Sequence, residues 1–160
     1  MALELTSKVF KSNGAIPDEH TCDGAEVPPP LEWSGVPAEA NSLALIVDDP
    51  DAPDPAAPKR TFVHWLVYDI PTAAQAIGGH GRSLPTGARE GTNDAGKVGY
   101  AGPCPPAGRH RYFFKLYALD VRLGDLGAPT KAQLEEAMRD HVLEHRELVG
   151  TYERAKIGVE

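Results

Sequence analysis

Apolar positions along the chain gather into three runs enriched in β-branched and aromatic residues, Ser42 to Val47, Thr61 to Ile70 and Tyr112 to Leu119, and each predicts a strand. All three are nearly continuous in apolar character, the pattern of strands covered on both faces or set in the middle of a sandwich. Pro and Gly cluster between them, in segments such as Asp51 to Pro58 and Gly78 to Gly99, which predicts long ordered loops over a β core. One segment has helical signals. Thr130 stands as N-cap with Gln133 at the capping-box position, and Leu134, Met138, His141, Val142, His145 and Val149 follow at helical spacing up to Gly150. Thr151 to Arg154 then predicts a last short strand. With no internal repeat and no linker, residues 1–160 read as a single, mostly β domain with one or two helices.

Composition narrows the partners. The chain has 160 residues, 41% of them hydrophobic, and a formal net charge of −7. Disorder is excluded outside loops, and no apolar stretch approaches the roughly 20 residues of a membrane span. No Lys/Arg cluster forms the basic face that nucleic acid requires, so a small or proteinaceous ligand is expected. Met1 to Phe10 carries Glu4 and lacks the apolar run of a secretion signal, which predicts a cytoplasmic protein. Cys22 and Cys104 match neither zinc spacing nor a disulfide-dense fold. Both lie in turn-rich stretches that could meet, so a mutual disulfide stays open beside free thiols, which cytosolic reductants favour.

Three clusters carry candidate chemistry. Asp48, Asp49 and Asp51, with Pro50 and Pro53, form an acidic corner just after the strand that ends at Val47. A solvated turn or a calcium loop would use similar residues, but Pro53 and Arg60 occupy positions where an EF-hand needs oxygen ligands. His64 lies inside the apolar strand Phe62 to Val67, where a buried imidazole needs a hydrogen-bond partner. Gly102 to Pro106, stiffened by Gly and Pro on both sides of Cys104, leads into His110, Arg111 and Tyr112, donors suited to phosphate or carboxylate oxygens. His141-Val-Leu-Glu144-His145 matches a zinc-helix pattern, but too little chain follows for the further ligand such enzymes use. Nucleophile elbows and phosphate-binding glycine motifs are absent, and no metal or other cofactor is expected.

The ordered set Thr21-Cys22-Asp23-Gly24, Pro29 to Pro37, Asp49-Pro-Asp51-Ala-Pro53, His64-Trp65, Asn93-Asp94, Gly102 to Pro106, His110-Arg111-Tyr112 and Glu147 to Tyr152 resembles the phosphatidylethanolamine-binding protein family, in its bacterial and archaeal branch. The resemblance implies a mainly β fold, a large antiparallel Greek-key sheet packed on a smaller one with one or two helices. It implies a non-enzymatic binding protein whose small pocket takes phosphate, acetate or a phosphorylethanolamine-like anion. The pocket residues it implies are Asp49, Asp51, Pro53, Phe62, His64, Gly102, Pro103, Cys104, Pro105, His110 and Tyr112. Phe62 stands where relatives often have Trp, and Cys104 where animal relatives have Gly. A protein partner and a homodimer are further implications of the likeness. The alternatives are a serine protease inhibitor, with Gly78 to Gly99 as its docking loop, and a hydrolase using the Asp/His pocket. If protonated His64 and His110 held the anion, affinity would weaken from about pH 6.5 upward.

Overall fold

In the computed structural model, which describes residues 2–81 and 83–154, the three apolar runs form the centre of one sheet. The elements are β1 (Glu4–Thr6), β2 (Gly14–Ala15), β3 (Leu31–Ser34), β4 (Ser42–Ala52), β5 (Arg60–Ile70), β6 (Ala76–Ile77), β7 (Arg89–Glu90), β8 (His110–Leu119), α1 (Lys131–Met138) and β9 (Val142–Tyr152). A six-stranded sheet has the order β2-β9-β8-β4-β5-β7, and a three-stranded sheet the order β1-β3-β6. Strands β4, β5 and β7 meander, and β8 returns by a long connection to lie beside β4, which is the Greek-key order. The larger sheet is antiparallel except at its edge, where β2 runs parallel to β9. Gly150 permits that approach, because a Cβ there would lie 2.7 Å from Ile16 and 2.9 Å from Phe10.

Alternation along the central strands divides the core in two. Leu43, Leu45 and Val47 of β4, with Trp65 and Val67 of β5 and Phe114 and Leu116 of β8, face the small sheet and bury Leu5, Leu31, Trp33 and Ile77. Ala44 and Ile46 face the other way with Leu66, Tyr68 and Leu119, and are covered by Leu134 and Met138 of α1. Both faces of β4 and β5 are thereby buried, as their continuous apolar character predicts.

Two expectations are corrected here. The helix begins as predicted: Thr130 Oγ1 accepts from the Gln133 N–H at 3.3 Å and Gln133 Oε1 accepts from the Thr130 N–H at 2.9 Å. It ends at Met138, however. Asp140 adopts φ 67°, and the chain enters β9, where Leu148, Gly150 and Tyr152 are buried at period two while Val142 and Leu143 are exposed. Pairing with β8 from Leu119 to His110 outweighs the helical spacing, since β8 would otherwise be an unpaired edge. The His141/His145 pattern therefore has no helix to sit on. The strand β4 also runs beyond Val47 to Ala52, so the acidic corner is part of the sheet, with register shifts against β5 at Val47/Asp48 and Asp49/Ala52.

For the cysteines, one of the two open alternatives is realised. Cys22 and Cys104 form a disulfide, with Cα atoms 5.4 Å apart and a sequence separation of 82. The two loops are already matched by hydrogen bonds: the Cys22 N–H donates to Pro103 O at 3.1 Å and the Tyr100 hydroxyl to His20 O at 2.6 Å. Once the thiols are held side by side, pairing follows wherever the surroundings are oxidising.

Candidate functional site

Across the sheet, β5, β4 and β8 place Phe62, Asp49 and Tyr112 in adjacent strands, since Asp49 pairs with Phe62 and Asp48 with Phe113. His64 and His110 lie beside this row on the same face. The Greek-key return, residues 91–109, crosses the strand ends and closes the row into a cavity of about 290 Å³. Buried Asn93 shapes its first turn, donating to Gly99 O and accepting from the N–H groups of Ala95 and Lys97. Asp94 extends the ladder of β5 by exchanging hydrogen bonds with the Val63 backbone, which carries Ala95 to the cavity rim.

His64 and the return loop fix each other. The Ala101 N–H donates to His64 O at 2.9 Å, and His64 Nδ1–H donates to Ala101 O at 2.7 Å. A carbonyl can only accept, so the proton sits on Nδ1 and Nε2 carries a lone pair. Among the described residues Nε2 has no hydrogen-bond partner, and it is not sealed off from solvent; it is the edge that the ring presents to the cavity. Burial pushes the imidazolium pKa below its ordinary 6.5, against the opposing pull of the Ala101 carbonyl and of Asp49, Asp48 and Asp94. The Tyr112 hydroxyl likewise lacks a protein partner among the described residues, and burial, with the nearby Asp49 charge, holds its pKa above the ordinary value. Phe62 and Tyr112 pack against His64 at ring distances of 4.8 Å and 5.2 Å.

His110 is differently occupied. Its Nε2 faces two carbonyls, Ala107 O at 2.8 Å and Pro53 O at 3.1 Å, and must donate. Its Nδ1 lies 2.5 Å from Asp49 Oδ2, with a proton between them. The pair therefore holds two protons and is neutral overall, whichever atom carries the shared one. Asp49 Oδ1 accepts from the Asp51 N–H at 2.7 Å. Neither nitrogen of His110 is free for a ligand, so the expectation of two imidazolium groups clamping an anion is corrected: burial disfavours the charged form of His64, and His110 spends both nitrogens on the protein.

Of the residues expected at the pocket, Asp49, Pro53, Phe62, His64, Gly102, Cys104, Pro105, His110 and Tyr112 line this cavity together with Pro106. Asp51 and Pro103 do not. Asp51 turns to Arg111, accepting from its Nε at 3.0 Å, its Nη2 at 2.9 Å and its backbone N–H at 2.9 Å, and the guanidinium holds its pKa below the usual carboxylate range. Pro103 instead offers its carbonyl to Cys22. Two charged residues at the cavity mouth were not expected, Glu26 and Arg60. Glu26 Oε2 accepts from the Gly102 N–H at 2.8 Å, and Gly102 must lack a side chain because a Cβ would lie 2.8 Å from His20 O. Arg60 lies with its guanidinium 5.2 Å from the Phe62 ring centre. Its place was readable, since Arg60, Phe62 and His64 alternate along β5 on one face. Glu26 carries no local signal, because a disulfide and a loop contact bring it there.

Comparison with known proteins gives the family and the fold. A family model described as "Phosphatidylethanolamine-binding protein" matches residues 6–153. A UPF0098 protein of Methanothermobacter thermautotrophicus is 46% identical over 156 residues, covering 95% of this chain and 99% of that protein. The crystal structure of a phosphatidylethanolamine-binding protein homologue from Chlamydia trachomatis superposes with a TM-score of 0.89 at 44% identity, covering 96% of this chain and 99% of that one. E. coli YbcL, described as a member of the mammalian family, gives 0.85 at 32% identity, covering 97% and 100%. The fold extends to a carboxypeptidase Y inhibitor solved with its cognate proteinase, with a TM-score of 0.54 at 20% identity, covering 93% and 82%.

Proposed function

Because the chain belongs to the phosphatidylethanolamine-binding protein family, we propose that it is a non-enzymatic binding protein whose cavity takes a small phosphate-type anion such as phosphorylethanolamine. The observation that carries this reading is the convergence of a buried imidazole and a buried phenol, each with a polar edge left open, on one cavity. Buried polar groups are normally paired within the protein, so edges left open face something that comes and goes. Arg60 at the mouth supplies attraction for an anion, and Glu26 opposite can meet an ammonium group. Occupancy of the cavity is then the signal that a partner protein reads, in the cytoplasm or wherever the chain resides; no helix among the described residues is long and apolar enough to cross a membrane.

Titration with phosphorylethanolamine at pH 6, followed by amide chemical shifts, is expected to saturate and to perturb residues around His64 and Tyr112. Tyr112→Phe removes one hydrogen bond to a charged guest, worth about 1.5–3 kcal/mol, and is expected to weaken binding about tenfold or more. Phosphoesters are expected to survive incubation unchanged, and turnover abolished in His110→Ala would replace this reading with the hydrolase. The inhibitor reading has less support. Likeness to the carboxypeptidase Y inhibitor reaches only the fold, and residues 89–99 of the expected docking loop are tied to β5 by Glu90, Gly91 and Asp94.

A further inference from the structure

The open edges of the cavity have a donor pattern that selects among phosphates. His64 offers a lone pair at Nε2, because its one proton is committed to the Ala101 carbonyl. Tyr112 offers a hydroxyl. His110 offers nothing further, because both of its nitrogens are engaged. A guest that meets His64 Nε2 must bring a hydrogen of its own. A singly charged phosphate monoester does so through its P–OH, while another of its oxygens accepts from Tyr112. A fully ionised monoester cannot, and neither can a phosphodiester, which has no P–OH in any charge state near neutrality.

Resting on the binding reading above, we infer that the cavity selects phosphate monoesters over diesters by binding the ester together with one proton, shared between a phosphate oxygen and His64 Nε2. The surroundings favour this choice. On the cavity side His64 is surrounded by Asp49 from β4, His110 and Tyr112 from β8, Asp94 from the return loop, and Glu26 and Arg60 at the mouth, while the charge of Asp48 acts on it from the other side of the sheet. Asp49 is matched by the proton it shares with His110, and Asp48 by Lys115 and Lys131 on the opposite face. Among the described residues that line the cavity, Arg60 is the one Lys or Arg that a second negative charge on the guest would meet. Burial disfavours a second proton on the free His64 ring, whose one proton is committed at Nδ1, so the proton at Nε2 arrives with the ester or from solvent at the moment of binding. Only the proton count matters to the linkage. Whether it rests on oxygen or nitrogen, the complex holds one proton more than neutral His64 and a dianionic ester do.

The second ionisation of a phosphate monoester lies near pH 6. Below that value the ester carries the required proton, and above it the proton must be taken up, so affinity falls about tenfold per pH unit. The test is titration calorimetry of the whole protein with phosphorylethanolamine and with its methyl diester, run at pH 5.5, 7 and 8 in two buffers of different ionisation enthalpy. The expected result is uptake of about one proton per bound monoester at pH 8 and about a quarter of one at pH 5.5, with about tenfold weaker monoester binding at pH 8 than at pH 7. The diester is expected to bind at least tenfold more weakly than the monoester at pH 5.5. Monoester binding with no proton uptake at pH 8, or a diester as tight as the monoester, overturns the inference and leaves the binding reading intact. No binding of either compound at any pH removes the binding reading, and the inference with it.

Discussion

Successive residues of a strand point to opposite faces, so Asp48 turns to Lys115 and Lys131 beside α1 while Asp49 turns to His110 in the cavity. Asp51, beyond a bulge, leaves the cavity for Arg111. Three aspartates adjacent in sequence thus have three unrelated partners, and no local pattern announces which is which. Asp49→Ala leaves the buried Nδ1 of His110 without its partner, and is expected to lower unfolding free energy by about 3–5 kcal/mol in urea melts, the usual cost of breaking a buried pair from one side. Asp51 predicts an acid effect with a definite sign. Its pKa is lowered in the folded state, so its contribution is complete above the ordinary value of 3.8 and erodes as pH falls through the depressed one. Arg111→Met should therefore flatten the stability profile below about pH 4 relative to the parent.

At the level of elements, the central strands were legible because β4 and β5 are apolar on both faces, a signal that needs no knowledge of neighbours. The capping box likewise located the start of α1 to the residue. The end of α1 was not legible. Met138, His141, Val142 and His145 fit a helical stripe, and only the unpaired edge of β8 decides that the chain turns back as β9. The turn depends on Asp140 in the left-handed region, where Asn, Asp and Gly are tolerated and a β-branched residue is not. Asp140→Val is expected to cost about 1–2 kcal/mol of stability and Asp140→Gly little or nothing, measured by thermal melts. The return loop shows the same limit. Its Gly and Pro content marked it as a stiff wall, and Gly102, Cys104 and Pro105 do line the cavity, but the contribution of Glu26 from a segment far along the chain could not be foreseen.

Over the whole molecule, the site is an assembly of three regions distant in sequence: the acidic end of β4 with β5, the return loop with the start of β8, and the segment around Cys22 that braces them. The first two could be read from residue chemistry and the order of motifs, and the brace could not, because expected cytosolic reductants argued for free thiols. Loop-closure entropy for a separation of 82 makes the disulfide worth about 4.5 kcal/mol, the upper part of the range that removal of a native disulfide commonly costs. Cys22→Ala combined with Cys104→Ala is expected to lower stability by about 2–4 kcal/mol while leaving the cavity in place, because the His20, Pro103, Ala101 and Gly102 hydrogen bonds remain.

The Cys22–Cys104 link also encircles β3 to β7, so that the stretch bearing Asp49 and His64 is held at both ends to the rest of the polypeptide. A single protease nick between Leu84 and Ala88 would accordingly yield two fragments that still migrate together on a gel run without thiol, and separate only when one is added.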